Sequence, residues 1–249
     1  MSFTYEQITC QIPKEHNYID RNYIVIKAIF NNSSTQSKRI RAKAWDLAKK
    51  VNPNSANDST QQRDKDRLIL DALGGVIAEE AWFYYINRVF GSNTVTFTEF
   101  NGSNGQIDLL LSNRKTIEIR SSFPKKGVKF AICNERYNFK NICKYNNLYK
   151  PSEIDKDFFG CCLFETQKDE IYNVQSVVVY LIGGSTRAMM LDQKISFRAD
   201  LVAEGDLTQN RTNYQVIYLK DALDMQGFEN YMGTMGYKKL TKTPLNQVF

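Results

Sequence analysis

The stretch QIDLLLSNRKTIEIRSS, residues 106–122, decides the fold. All of its apolar side chains except Leu110 stand at odd positions, and all of its even positions except Leu110 are polar. This period of two predicts half-buried β-strands with one apolar and one polar face. The residues 112–114, Ser-Asn-Arg, form a turn, so the two halves make an antiparallel hairpin. The even-numbered side chains of both strands then lie on one face, where Asp108, Glu118 and Arg120 converge.

Two carboxylates on adjacent strands repel each other, and a shared proton or a divalent cation relieves the repulsion. Mg²⁺ prefers oxygen ligands and commonly binds one or two carboxylates, waters and a substrate phosphate oxygen. A metal held by Asp108 and Glu118 would polarise a phosphate and activate a water, which is the chemistry of phosphodiester hydrolysis. The alternative is a solvated hairpin face on which Glu118 and Arg120 form an ion pair.

The segments around this hairpin predict further helices and strands. A long helix is expected from about Asp64 to Phe90, in which Gly74 and Gly75 mark a bend or a close backbone approach. Other helices are expected at 36–51 and 220–232, from the spacing of their apolar residues. Strands are expected at 23–30, 94–100, 106–112, 115–123, 158–165 and 176–182.

The order of the acidic residues resembles the signature of the PD-(D/E)XK nuclease superfamily. Asp108 is followed, after nine intervening residues, by Glu118-Ile119-Arg120, similar to the D…E-x-K motif. The preceding helix carries GVIAEEA at 75–81, similar to the G-x-x-A-E segment of many members. The resemblance implies an α/β fold with a restriction-endonuclease-like core over residues 66–165. In that core a helix, three antiparallel strands, a helix and a further strand build a central mixed β-sheet flanked by helices.

The resemblance also implies roles for individual residues. Glu79, with Glu80 as its rival, would join Asp108 and Glu118 in binding Mg²⁺, and Arg120 would act at the scissile phosphate. Arg120 stands where the family has lysine, and Ile107 stands where it has proline. Arginine keeps the positive charge but presents it as a planar fork rather than a point ammonium.

The chain is basic, with a formal net charge of +6 and a pI near 8.9, which suits an anionic partner. Basic residues concentrate in the helix at 36–51 and in the stretch 125–150, where aromatic residues are interleaved with them. An ordinary helix with a solvated basic face is the alternative for both segments. The residues expected to contact nucleic acid are Arg41, Lys43, Lys125, Lys126, Lys129, Arg136 and Lys140.

The length of 249 residues fits one nuclease domain, 1–249. Within it, residues 1–62 are expected to form an N-terminal extension that contacts DNA, and residues 166–249 the C-terminal part of the same domain. Five cysteines without a C-x-x-C pair predict reduced, mostly buried thiols and no zinc cluster. The single histidine, His16, lies in a turn-like stretch and argues against histidine-based nuclease chemistry or a Ser-His-Asp hydrolase.

No apolar run reaches the length of a membrane span and the N-terminus has no signal-peptide pattern, so a cytoplasmic protein is expected. Together the features favour a Mg²⁺-dependent endonuclease that cuts double-stranded DNA, as a stand-alone bacterial type II restriction enzyme and a homodimer. Two alternatives stay open. One is a defence nuclease of the same fold that cuts RNA or single strands, and the other is a catalytically inactive nucleic-acid-binding module.

Overall fold

The computed structural model describes residues 1–15, 17–50, 65–99, 107–134, 139–145, 154–201 and 212–240. Its strands are β1 (Ser2–Lys14), β2 (Asn17–Asn31), β3 (Val95–Phe97), β4 (Leu109–Leu111), β5 (Thr116–Ser122), β6 (Lys140–Tyr145), β7 (Phe158–Phe164), β8 (Ser176–Thr186), β9 (Ser196–Leu201) and β10 (Thr212–Tyr218). Its helices are α1 (Thr35–Lys50), α2 (Lys65–Phe90), α3 (Val128–Cys133), α4 (Arg187–Leu191) and α5 (Met225–Thr234). None of these helices is long and apolar enough to cross a membrane. The predictions made for His16 and Arg136 lie outside the described residues.

Seven strands form one mixed sheet in the order β1-β2-β8-β7-β5-β4-β3. Neighbouring strands in it run antiparallel except β5 and β7, which are parallel. The other three described strands form an antiparallel sheet in the order β6-β10-β9. The predicted α/β class, with a central mixed sheet flanked by helices, is confirmed.

The hairpin of β4 and β5 forms in the predicted register. Leu109 pairs with Ile117 and Leu110 with Thr116, so the register, continued by one residue, places Asp108 opposite Glu118. β4 is shorter than the predicted strand because Ile107 and Asp108 lie in an irregular segment before it. The hydroxyl of Thr98 donates to the Ile107 carbonyl and ties this segment to the chain that follows β3.

Helix α2 lies at the centre of the main hydrophobic core. Its Trp82 ring makes edge-to-face contacts with Phe158 of β7 and Phe228 of α5, with centroids 6.2 and 4.8 Å apart. α1 packs against α2 and buries Ile40 and Ala44 in the same core. The regularly spaced apolar residues predicted for the helix at 36–51 therefore form the face of α1 that packs against α2. The basic residues of α1 lie at the surface or beside α2.

The main sheet lies between two layers. Every residue of β7 is buried, and its alternate side chains belong to separate hydrophobic clusters on the two faces of the sheet. On the face opposite α2, Phe159 of β7 packs with Cys143 of β6 and Ile217 of β10. The second sheet therefore covers part of the face that points away from α2.

The N-terminal residues are built into the main sheet. β1 pairs with β2 along its whole length, from Ser2 with Ile29 to Lys14 with Asn17. β2 in turn pairs with β8 over residues 26–31. Within the predicted N-terminal extension, β1 and β2 thus contribute two strands to the sheet, and α1 contributes a helix to its covering layer.

The cysteine prediction is wrong for two of the five residues. Cys10 of β1 and Cys133 of α3 form a disulfide across a sequence separation of 123 residues. Cys143, Cys161 and Cys162 are free and buried, as predicted. Spacing rules detect local pairs of cysteines, but they cannot detect two that only the fold brings together.

The glycine pair in α2 has two different environments. A Cβ on Gly74 would lie 2.9 Å from Cζ of Phe123, whereas a Cβ on Gly75 would meet no atom within 4 Å. The Phe123 ring is stacked on Phe164 with centroids 4.3 Å apart, so it has little room to retreat. The predicted close contact is therefore present at Gly74, where the neighbour is the Phe123 side chain rather than a backbone. It is absent at Gly75.

Gly74→Ala and Gly75→Ala are therefore expected to change stability in opposite directions. The Gly75→Ala variant should gain up to about 1 kcal/mol from helix propensity. The Gly74→Ala variant should lose about 1–3 kcal/mol because the added methyl overpacks the Phe123–Phe164 stack. Urea denaturation followed by circular dichroism measures both, and equal effects would contradict the close contact.

Candidate active site

Asp108 is held by the backbone of the neighbouring strand. Its Oδ2 accepts a hydrogen bond from the Ile119 N–H at 2.7 Å, across the β4–β5 hairpin. Burial raises the pKa of Asp108 well above its usual range, and the negative charges of Glu118 and Glu79 raise it further, against the opposing effects of the Ile119 hydrogen bond and Arg120. The three carboxylates therefore lie close enough to repel one another, as predicted for Asp108 and Glu118.

Glu118 is buried beside two cations. Arg120 Nη2 lies 3.2 Å from Glu118 Oε1, and Lys156 Nζ lies 3.5 Å from Glu118 Oε2. Only 5% of the glutamate is exposed, and its Oε2 accepts no hydrogen bond from the described residues. The predicted half-buried polar face is wrong for Glu118, because side chains from its own strand and from the segment before β7, Arg120 and Lys156, lie against it.

Lys156 is a residue that the sequence analysis missed. It lies two residues before β7, in which Phe159 pairs with Glu118, and it is 1% exposed. Its Nζ also donates to the Ile154 carbonyl at 3.3 Å. A lysine between two aspartates has the sequence pattern of a solvated segment, so no local signal marks it as buried.

The structure separates the two rival glutamates of α2. Glu79 Oε2 accepts a hydrogen bond from Lys43 Nζ at 3.0 Å, and Glu79 lines a pocket together with Asp108. Glu80 is 2% exposed and pairs with a guanidinium of α1 instead. Burial raises the pKa of Glu79, Lys43 opposes the rise, and Glu118 adds to it. Glu79 is therefore the helical glutamate that stands with Asp108 and Glu118.

A pocket of about 420 Å³ opens beside these carboxylates. One side belongs to α1, and the other belongs to α2, the end of β3 and the segment before β4. The lining residues are Arg39, Lys43, Asp46, Leu47, Lys50, Glu79, Phe97, Thr98, Ile107 and Asp108. Glu118 and Arg120 do not line it. Arg39 and Lys50 were not predicted as site residues, although they lie on the same helix as the predicted Lys43.

The residues predicted to contact nucleic acid do not form one group. Lys43 lines the pocket. The Arg41 guanidinium donates to the Tyr172 carbonyl at 3.0 Å and lies over its ring. Lys140 Nζ lies over the Tyr218 ring in the second sheet. Three more are exposed around the start of α3: Lys125, Lys126 and Lys129.

The donor set fits a hard divalent cation. Mg²⁺ needs one or two carboxylates and takes waters and phosphate oxygens for its other positions, and Asp108 and Glu79 provide two carboxylates at the pocket. Glu118 adds a buried carboxylate oxygen that accepts no hydrogen bond from the described part of the chain. Among those same residues, no group of three or more His, Cys, Asp or Glu side chains is arranged to hold a metal ion without other ligands. Waters and substrate oxygens would therefore have to complete the coordination.

No protein-family model matches the chain, and neither a curated protein nor a solved structure matches it. A proposal for its function therefore rests on the residues and geometry of this site.

Replacing Asp108 by asparagine is expected to stabilise the metal-free protein at high pH. The pKa of Asp108 is raised in the folded protein, so folding favours the protonated carboxyl. The stability that Asp108 contributes is therefore fully present below its unfolded-state pKa, and it is lost as the pH rises through its folded-state pKa. Asparagine still offers an oxygen to the Ile119 N–H but carries no charge. Urea denaturation in EDTA should find Asp108→Asn more stable than wild type at pH 8, by a margin that shrinks as the pH falls to 4. A difference that does not change with pH would contradict a buried, repelled carboxylate.

Proposed function

We propose that the protein is a Mg²⁺-dependent endonuclease that hydrolyses phosphodiester bonds of DNA. The observation that carries the proposal is the convergence of three carboxylates from separate parts of the chain: Glu79 and Asp108 line one pocket, and the register of the β4–β5 hairpin places Asp108 opposite Glu118. They lie beside a pocket whose α1 side is basic. Three partly desolvated carboxylates are costly to assemble, and a divalent cation is the partner that relieves both their repulsion and their lost hydration.

The order of the elements also supports the proposal. α2 carries Glu79, Asp108 precedes β4, β5 carries Glu118 and Arg120, and α3 and β7 follow. A helix, three antiparallel strands, a helix and a further strand is the order that the PD-(D/E)XK resemblance implies. The chain departs from it by β6, which lies between α3 and β7 in sequence and joins the second sheet.

Each carboxylate has its own task in the proposed reaction. Asp108 and Glu79 bind the metal from the pocket, and Glu118 binds it or supports its ligands from the buried side. Mg²⁺ held there would polarise the phosphate and lower the pKa of an attacking water. The Ile119 N–H fixes the Asp108 carboxylate in advance, so that little reorientation is needed when the substrate arrives.

Two cations could replace the lysine of the PD-(D/E)XK signature. Arg120 and Lys156 both lie beside Glu118, but the Arg120 side chain is 19% exposed and that of Lys156 only 1%. Arg120 does not line the pocket, but it is the more exposed of the two cations, and its fork can bind a phosphate oxygen. We assign Arg120 to the scissile phosphate and Lys156 to the orientation of Glu118.

Double-stranded DNA is the proposed substrate, and a homodimeric bacterial type II restriction enzyme of the cytoplasm is the proposed biological form. The net charge of +6 supports an anionic polymer as partner. The basic side of the pocket supports a phosphate close to the carboxylates.

Cleavage should require both the metal and the carboxylates. The protein is expected to cut plasmid and linear duplex DNA in Mg²⁺ and to cut neither in excess EDTA. Asp108→Ala and Glu118→Ala should abolish cleavage, because each removes a ligand of the proposed metal site. Glu79→Ala should weaken cleavage more than Glu80→Ala, the matched control on the same helix, which pairs with Arg39 instead. Gel-shift and circular dichroism measurements verify that binding and fold survive in each variant.

The same substrates separate the alternatives. Cleavage of RNA or single-stranded DNA without cleavage of duplex would favour the defence nuclease. Duplex binding without cleavage of any substrate would favour the inactive module, and undiminished cleavage in EDTA would refute the metal requirement.

Arg120→Lys should retain cleavage, because an ammonium still meets the charge that develops on the phosphate. Arg120→Ala should lose at least about 100-fold in single-turnover rate, the usual loss when one stabilising donor is removed. Equal rates for wild type and both variants would remove Arg120 from the site, and the rate of Lys156→Met would then decide whether Lys156 acts in its place.

A further inference from the structure

Lys43 is the cation that covers the carboxylates on the pocket side. Its Nζ lies 3.0 Å from Glu79 Oε2 and 4.2 Å from the centroid of the Phe97 ring. The lysine side chain is 41% exposed, whereas that of Glu79 is 14% exposed. A surface ammonium therefore neutralises a carboxylate that is otherwise mostly enclosed.

The carboxylates do not share their cations equally. Glu118 has Arg120 and Lys156 beside it, and neither of these cations lines the pocket. Lys43 comes from α1, a separate element, and lines the pocket together with Asp108. Within the described ranges it is the cation that forms an ion pair with Glu79.

An ammonium and a divalent cation cannot closely bind the same carboxylate oxygen, because like charges repel. Lys43 is the partner that can leave, since its stem is flexible and partly exposed ion pairs are weak. Arg39 and Lys50 line the same side of the pocket. An ammonium released from Glu79 would thus stay among basic groups that face a phosphate in the pocket.

We propose that Lys43 is a displaceable counter-ion: it neutralises Glu79 while no divalent cation is bound, and it moves to the substrate phosphate when the metal binds. This inference rests on the proposed nuclease function and adds a regulation of the same site. Metal binding frees the ammonium that the phosphate needs, so metal and nucleic acid bind cooperatively.

Calcium binding to the whole chain without nucleic acid, measured by isothermal titration calorimetry, tests the exchange independently of cleavage. Lys43→Met keeps an unbranched stem near Phe97 and removes the competing charge. It should bind Ca²⁺ about fivefold more tightly than wild type, the equivalent of one partly exposed ion pair. Lys50→Met is the matched control, because Lys50 lines the same pocket without an ion pair to Glu79. Its Ca²⁺ affinity should change less than about twofold, since salt screens an exposed charge that forms no ion pair with the carboxylates of the pocket.

Duplex DNA binding tests the second half of the exchange. In saturating Ca²⁺, Lys43→Met should bind DNA more weakly than wild type, and its logarithmic salt slope should fall by about 0.9, the value for one phosphate contact. Without Ca²⁺ the two proteins should bind DNA equally, because Glu79 then holds Lys43. A lysine that only contacts phosphate would weaken binding in both conditions.

If Lys43→Met binds Ca²⁺ as tightly as wild type or more weakly, the proposed exchange is wrong, but the proposed metal site is not contradicted. The proposed function itself fails if wild type does not bind Ca²⁺, or if Asp108→Asn binds it as tightly as wild type does. This inference then fails with it. Thermal melting verifies that both variants are folded, and Lys43→Gln provides the same comparison if Lys43→Met is not.

Discussion

The burial of three carboxylates at one end of the main sheet is the constraint on which the rest of the structure depends. Glu79, Asp108 and Glu118 lose hydration, and Glu118 raises the pKa of both others. Their compensation comes from four groups: the Ile119 amide, Arg120, Lys156 and Lys43. The first two lie on β5 beside Glu118, but the other two come from distant parts of the chain. The site therefore exists only when α1, α2, β5 and the start of β7 are packed together.

The parallel pairing of β5 with β7 explains how Lys156 reaches Glu118. In a parallel pair the starts of both strands lie at the same end of the sheet, and Asp157 fastens these two starts together. Its carboxylate accepts the Thr116 N–H at 2.9 Å and lies 2.7 Å from the Lys115 ammonium. With the segment before β7 fixed in this way, the long side chain of Lys156 extends toward Glu118 instead of toward solvent.

The part of the site that could be predicted from the sequence is the part that depends on local geometry. A three-residue turn and a period of two fix the register of β4 and β5, so Asp108 and Glu118 could be paired without tertiary information. Only the family resemblance favoured Glu79 over its rival Glu80. The local pattern of α2 does not separate them, because the choice depends on how α2 is rotated against the sheet and α1. The burial of Glu118 and the position of Lys156 depend on pairing with β7. The Cys10–Cys133 disulfide depends on the packing of β1 against α3. None of these long-range contacts leaves a local pattern in the sequence.

A buried ion pair such as Lys156 with Glu118 is a poor way to stabilise a fold. Both ions lose hydration, and apolar residues of similar size are often at least as stable in the same place. A purely structural pair would be expected to satisfy its remaining lone pairs with hydrogen bonds. Here the ammonium stands 3.5 Å from Glu118 Oε2, and that oxygen accepts no hydrogen bond from the described residues. Glu118 Oε2 therefore keeps lone pairs that no hydrogen bond from the described residues uses, and the cation of the neighbouring Glu79, Lys43, is partly exposed. The proposed metal site would require both free coordination capacity on the buried side and an ammonium that can leave on the open side, whereas a closed salt-bridge network would require neither.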